Sequence, residues 1–112
     1  MTSESHKTPL KNTTQPLPER WRSVVEDQLD VAESIVAWLE TDLDSGLHFT
    51  RGLLLITTQR ILSKTTDAAA WQSWAYRLES GLTLRQYDHG GVGSLELHNA
   101  QERLICWRYT LG

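Results

Sequence analysis

"GLLLITTQRIL", residues 52–62, is the stretch that decides how this chain folds. Leu53, Leu54, Leu55 and Ile56 run together, four polar residues follow, and Ile61 and Leu62 resume the apolar pattern. An apolar run this short, bounded by turn residues, reads as a strand buried on both faces. "TTQ" then makes a tight hairpin turn, and "RIL" begins the return strand. Gly52 allows a bend or bulge where the first strand starts. Arg60 poses the chemical question. It is either an anion contact at the hairpin or a turn-flanking arginine that pairs with a nearby carboxylate and covers apolar surface with its stem.

Working outward, the period of the apolar pattern divides the chain. Residues 1–17 are polar, with two prolines and many Ser and Thr. Such a segment buries too little to offset its ordering entropy and is expected to be a flexible tail, in which His6, Lys7 and Lys11 are solvated. From Pro18, the residues Trp21, Val24, Val25, Gln28 and Leu29 follow a helical period. They predict a short helix over 18–29, with Pro18 in its first turn and Glu19 near the positive end of its dipole. Its other face carries Arg22, Glu26 and Asp27, not the basic face that anionic lipid favours, so it is expected to pack on the chain's own core.

Beyond residue 33 the period changes to two. The spacing predicts strands at 35–43, 47–57, 60–64, 71–78, 82–88, 94–99 and 103–110, separated mostly by Gly, Ser, Asn and Asp. Ile105, Trp107 and Tyr109 share one face of the last strand, opposite Leu104, Cys106 and Arg108. The fold class is therefore mainly β: an antiparallel sandwich or partly open barrel of about seven strands with one short N-terminal helix. Its expected core is Ile35, Leu39, Leu53, Leu55, Leu62, Leu84, Leu95, Leu97 and Trp107.

Composition narrows the function classes. The 112 residues have room for one domain. A net charge of −3 with dispersed Lys and Arg argues against nucleic acid. The single cysteine, Cys106, precludes an internal disulfide, fits a reducing compartment and is expected to serve as a small core residue. No apolar run approaches the ~20 residues of a membrane span, and no apolar signal segment opens the chain, so a cytoplasmic location is expected.

Motifs for chemistry are sparse. "DLDSG", 42–46, has the look of a calcium loop, but its glycine comes one position early and Leu53 stands where a bidentate Glu is needed. "DHGGVG", 88–93, precedes a strand and reads as a hairpin loop rather than a phosphate cradle. His48, His89, His98 and Cys106 have no metal-ligand spacing, and Ser73, Ser80 and Ser94 have no nucleophile setting. No cofactor and no metal are expected. The five tryptophans are the most unusual compositional feature. Strict alternation sends Trp71 and Trp74 to opposite faces of one strand, so at least one is expected at a surface. Trp71, Trp74 and Tyr76 are the candidate interaction residues.

A helix, then "ESIVAWLETDL", "GLLLITTQRIL", a Trp-started strand and "GGVGSLELHN" together resemble the bacterial pleckstrin-homology-like domains. An apolar strand ending in Thr, a short turn, and Arg followed by two apolar residues recur in that family. They correspond here to Leu53–Thr57 and Arg60–Leu62. The stretch from Trp71 to Gly112 also resembles the N-terminal cytoplasmic module of some bacterial ABC exporters. The resemblance covers roughly residues 20–112. It implies a PH-like domain over 18–112, a piece of a longer chain, that acts as a non-catalytic regulatory or protein-interaction module of a membrane transporter. Its partners would be proteins or adjoining transporter domains, and it would meet the membrane only through the parent chain. One departure stands out: the family's fold ends in a helix, whereas this sequence reaches Gly112 after its last strand. Either the chain continues or the N-terminal helix takes that place. Lipid-phosphate binding in the family uses basic residues near the first hairpin loop. Here that loop carries Glu40, Asp42 and Asp44, so phosphoinositide binding is not expected. Two other readings stand beside this one: a small-molecule or peptide-binding barrel, and a hydrolase whose site assembles only in space.

Overall fold

The computed structural model describes residues 9–12, 14–44, 46–76 and 81–111. A two-residue strand, β1 (Lys11–Asn12), precedes helix α1 (Glu19–Glu26). Then come β2 (Ile35–Leu43), β3 (Phe49–Thr57), β4 (Arg60–Lys64), β5 (Gln72–Ala75), β6 (Thr83–His89), β7 (Val92–His98) and β8 (Arg103–Thr110). They form one open antiparallel sheet of eight strands, in the order β5-β4-β3-β2-β8-β7-β6, with β1 on β2. The mainly β class therefore stands, as a partly open barrel made from a single sheet.

The sheet coils tightly. β4 and β8 are three strand spacings apart, about 14 Å on a flat sheet. Nevertheless the Trp107 indole N–H (β8) donates to Ser63 Oγ (β4) at 2.7 Å, and both groups are buried. The Trp74 ring (β5) stands edge-on to Trp107, with centroids 6.3 Å apart at 89°. Curling brings Leu39, Leu54 and Ile61 from one half of the sheet against Leu95, Leu97 and Tyr109 from the other.

A second cluster lies on the outer face of β2–β4. There α1 presents Trp21 and Val25 to Trp38, Leu53, Leu55 and Leu62. The uninterrupted leucines of β3 follow from this arrangement: Leu54 points into the coil, Leu53 and Leu55 point to the helix, and all three have no exposed surface. Of the expected core, Ile35 and Leu84 are only half-buried. Leu84 sits on β6, which has β7 as its ladder partner on one side and no described strand on the other.

Boundaries differ from the sequence reading in informative ways. α1 is shorter than 18–29, with Pro18 outside it as the N-cap and Asp27 as the C-cap. β3 starts at Phe49, because Asp44 holds the preceding loop: its Oδ1 accepts from the Gly46 and His48 amides, both at 2.9 Å. β7 starts at Val92, because Gly90 and Gly91, at φ 58° and 82°, complete the hairpin turn by themselves. Residues 77–78 of the strand expected at 71–78 lie outside the described residues. Within the segment read as a flexible tail, Lys11 and Asn12 pair with Trp38 and Ala37, and the Gln15 carbonyl accepts from the Trp38 indole at 2.9 Å. An edge of β2 left unpaired by β8 provides the template for that pairing. Cys106, expected in the core, is half-buried on the outer face instead.

Two backbone sites give a paired prediction. A Cβ on Gly52 would stand 2.6–2.7 Å from Thr41 Oγ1 and from the carbonyls of Lys64 and Thr65. Leu47, by contrast, is more than half exposed and carries an unfavourable φ of 63°. Gly52→Ala is expected to lower unfolding stability by ~1–3 kcal/mol through overpacking. Leu47→Gly is expected to raise it by roughly 1 kcal/mol through relief of the left-handed backbone. Urea denaturation of both variants checks the pair, and matching signs would contradict it.

Candidate functional site

Arg60 leaves the β3–β4 turn and reaches back to the segment between α1 and β2. Its Nε donates to Glu33 Oε2 at 2.9 Å, and its Nη2 donates to Glu33 Oε1 at 3.0 Å and to the Gln28 carbonyl at 2.7 Å. Thr57 Oγ1 donates to Glu33 Oε2 at 2.5 Å and accepts from the amides of Gln59 and Arg60, each at 3.1 Å. The Asp30 amide donates to Glu33 Oε1 at 3.1 Å. The Tyr76 hydroxyl donates to the Thr57 carbonyl at 3.0 Å, so the chain beyond β5 also rests on this turn.

The electrostatics follow from the contacts. Hydrogen bonds from Arg60, partly offset by burial, hold the Glu33 carboxyl from its ordinary 4.5 down to about 2. Pairing with Glu33 pushes the Arg60 guanidinium up. Burial, with the Glu33 charge adding, pushes the Tyr76 phenol up. A strongly shifted carboxylate beside a cation is a common mark of a catalytic site. Here each carboxylate oxygen already accepts two hydrogen bonds, and the side chain has no exposed surface. No acceptor remains for a substrate proton. The cluster is a clasp that joins α1 and its following segment to the hairpin. Of the two sequence readings of Arg60, the pairing with a carboxylate is the one the geometry displays.

The three candidate aromatics part company. Trp71 packs with the helix-side cluster, with Lys64 Nζ 6.0 Å from its ring centroid. Trp74 points the other way, into the coil against Trp107. Alternation along the extended chain from Trp71 into β5 accounts for this split. Tyr76 is 45% exposed and forms the outward part of the group.

The outer face of β6–β8 has a different character. Cross-strand register sets Thr83, His98 and Arg103 in one row, Arg85, Glu96 and Cys106 in the next, and Tyr87, Ser94 and Arg108 in a third. Glu96 is the hub, with His98 Nε2 at 2.8 Å and Arg103 Nη1 at 3.2 Å. His98 first, then Arg103, lowers the Glu96 carboxyl below its ordinary range.

Between the halves of the sheet, β2 and β8 meet at the pair Leu43–Arg108. Asp42 reinforces this seam by accepting from the Thr110 amide at 2.8 Å and its hydroxyl at 2.5 Å. A cleft opens on each side of the junction. One, of about 520 Å³, lies by Leu39, Arg51, Tyr109 and Leu111; the other, of about 460 Å³, lies by Thr65, Leu104 and Cys106. Tyr109 is buried, and its hydroxyl has no hydrogen-bond partner among the described residues.

Sequence reasoning did not single out Glu33 or Ser63. Glu33 lies 27 positions before its arginine, and nothing local marks it. Among the described residues, no His, Cys, Asp or Glu cluster of three or more has metal-holding geometry, and no helix is long and apolar enough to cross a membrane.

The clasp makes a pH prediction with a definite sign. Because folding depresses the Glu33 pKa, its contribution is fully present above about 4.5 and is lost as pH falls from there toward 2. The downward shift corresponds to about 3 kcal/mol. Wild-type stability is therefore expected to fall by roughly 2.5 kcal/mol more than Glu33→Gln stability between pH 5.5 and 2.5, part of the contribution surviving at the lower pH, while the variant starts on the order of 3 kcal/mol lower at pH 7. Parallel stability–pH curves for the two proteins would contradict the clasp.

No protein-family model, no curated protein and no solved structure matches this chain.

Proposed function

We propose that this chain is a non-catalytic protein-interaction module with a regulatory role. The observation that carries the reading is the unequal cover of the coiled sheet. α1 closes the outer face of β2–β4, while the outer face of β6–β8 carries exposed Tyr87 among arginines, with no described helix over it. Exposed aromatics also stand at Tyr76, beyond edge strand β5, and at Phe49, where β3 begins. Interfaces draw much of their binding energy from Tyr, Trp and Arg anchors of this kind. The candidate group of Trp71, Trp74 and Tyr76 enters this reading through Tyr76, the two tryptophans supporting the strand beneath it.

The setting we assign is the one the sequence resemblance implies: the cytoplasmic N-terminal module of a larger bacterial exporter of the ABC kind. The saturated hydrogen bonding of the Glu33 carboxylate, paired with Arg60, supports a structural rather than catalytic role for this ionisable pair. A second reading, as a small-molecule-binding barrel, draws on the seam cleft of about 520 Å³ beside Tyr109, a volume within the usual range for ligand sites.

Photo-crosslinking tests the interaction reading. A benzophenone amino acid placed singly at Phe49, Tyr76 and Tyr87, in the full reading frame expressed in its own host, is expected to give a discrete protein adduct from at least one position. Adducts from none of the three, with the protein folded and abundant, would contradict it.

A further inference from the structure

The charge on the outer face of β6–β8 identifies the chemistry of a partner. Register places three arginines there, Arg85, Arg103 and Arg108, against a single carboxylate within the rows, Glu96. Asp42 lies at the border, already bonded to Thr110. His98, facing Glu96 from the same strand, would add to the positive side when protonated. The region of α1 has the reverse balance: Glu19, Glu26, Asp27 and Asp30 on and just after the helix are exposed against two arginines, Arg20, which is paired with Glu40, and Arg22. A domain with an overall charge of −3 thus concentrates positive charge on the face that no described helix covers.

We infer that this face docks an acidic segment of a partner protein, with Arg85 and Tyr87 as its anchors. The inference rests on the interaction reading above and adds the partner's chemistry to it. Arg85 is exposed and forms no ion pair among the described residues, although Glu96 is its cross-strand neighbour. Tyr87, two positions along the same strand face, is 49% exposed and offers an apolar ring beside that charge. All three cations in the rows are arginine, whose planar fork matches a carboxylate with two parallel hydrogen bonds. A uniform polyanion fits less well. Closely spaced phosphates would meet the half-buried Glu96 in the middle of the face, whereas an acidic peptide can place its carboxylates to either side.

The test titrates the folded domain against a fluorescein-labelled dodecapeptide of Glu, Asp and Ser with a central Phe, and against its Gln and Asn counterpart. Phosphatidylserine-containing vesicles and a twelve-nucleotide oligo-dT serve as the other polyanions. Saturable binding of the acidic peptide is expected, weakened at least about tenfold by Arg85→Glu and severalfold by Tyr87→Ala. Arg22→Glu changes the net charge equally on helix α1, away from this face, and is expected to change affinity less than about twofold. Thermal melts of each variant separate lost binding from lost folding.

Equal weakening by Arg22→Glu would reduce the effect to overall charge and overturn the proposal. So would absent binding, or tighter binding of the vesicles or the oligonucleotide. Concentration-dependent self-association that Arg85→Glu abolishes would also overturn it, by giving the face to the acidic helix of a second copy. A photo-adduct without acidic-peptide binding leaves the interaction reading in place and removes only the acidic chemistry.

Discussion

The ion pair between buried Glu33 and half-buried Arg60 is the constraint on which the rest of the outer architecture depends. Helix α1 has only eight residues, too few to be stable alone, and must be held against the sheet by tertiary contacts. Its two buried side chains, Trp21 and Val25, supply apolar contact. The clasp supplies position. Arg60 bonds both the Gln28 carbonyl just past the helix and Glu33 just before β2, so one guanidinium fixes where the helix stops and where the strand begins. Thr57 turns the same carboxylate into part of the hairpin. A second tie lies at the other end: Arg20 and the Trp21 indole both bond Glu40 of β2. Apolar area alone is non-directional, and these polar contacts select one seating of the helix among many.

That seating divides the sheet into unequal halves. Inside the coil, Trp107 crosses from β8 to Ser63 and closes the curve that lets both halves share one core. Outside, the helix covers β2–β4 and leaves β6–β8 to polar rows centred on Glu96. The function proposed for the chain follows from this division. An uncovered face with exposed aromatic and arginine side chains is available for a partner, while the Glu33–Arg60 cluster is already consumed in holding the fold.

Much of the fold was legible because its signals are local. The leucine run and the T-T-Q turn give β3, the hairpin and β4 with boundaries that match the observed strands at Thr57 and Arg60. Alternation in "RLICWRYT" assigns Trp107 inward and Cys106 outward, although the same Cys106 was expected in the core on residue type alone. Trp71 and Trp74 were legible as opposite-facing, but not as packed, since their neighbours Lys64 and Trp107 come from other strands. Long-range partners were invisible for the same reason. Glu33 sits in an unremarkable stretch, and its identity as the partner of Arg60 depends on how α1 brings the chain back over the hairpin. The pairing of Lys11 and Asn12 with β2 was missed because a polar composition says nothing about an unoccupied strand edge nearby.

A double-mutant cycle between Glu33 and Arg60 tests the central claim most directly. Stability would be measured by denaturation at pH 7 for the wild type, Glu33→Gln, Arg60→Met and the double variant. If the pair holds the helix to the hairpin, the double variant is less destabilised than the sum of the singles, with a coupling of at least about 1.5 kcal/mol. Amide exchange in α1 would quicken in both single variants. Additive effects, with α1 protection unchanged, would mean that apolar packing seats the helix without the clasp.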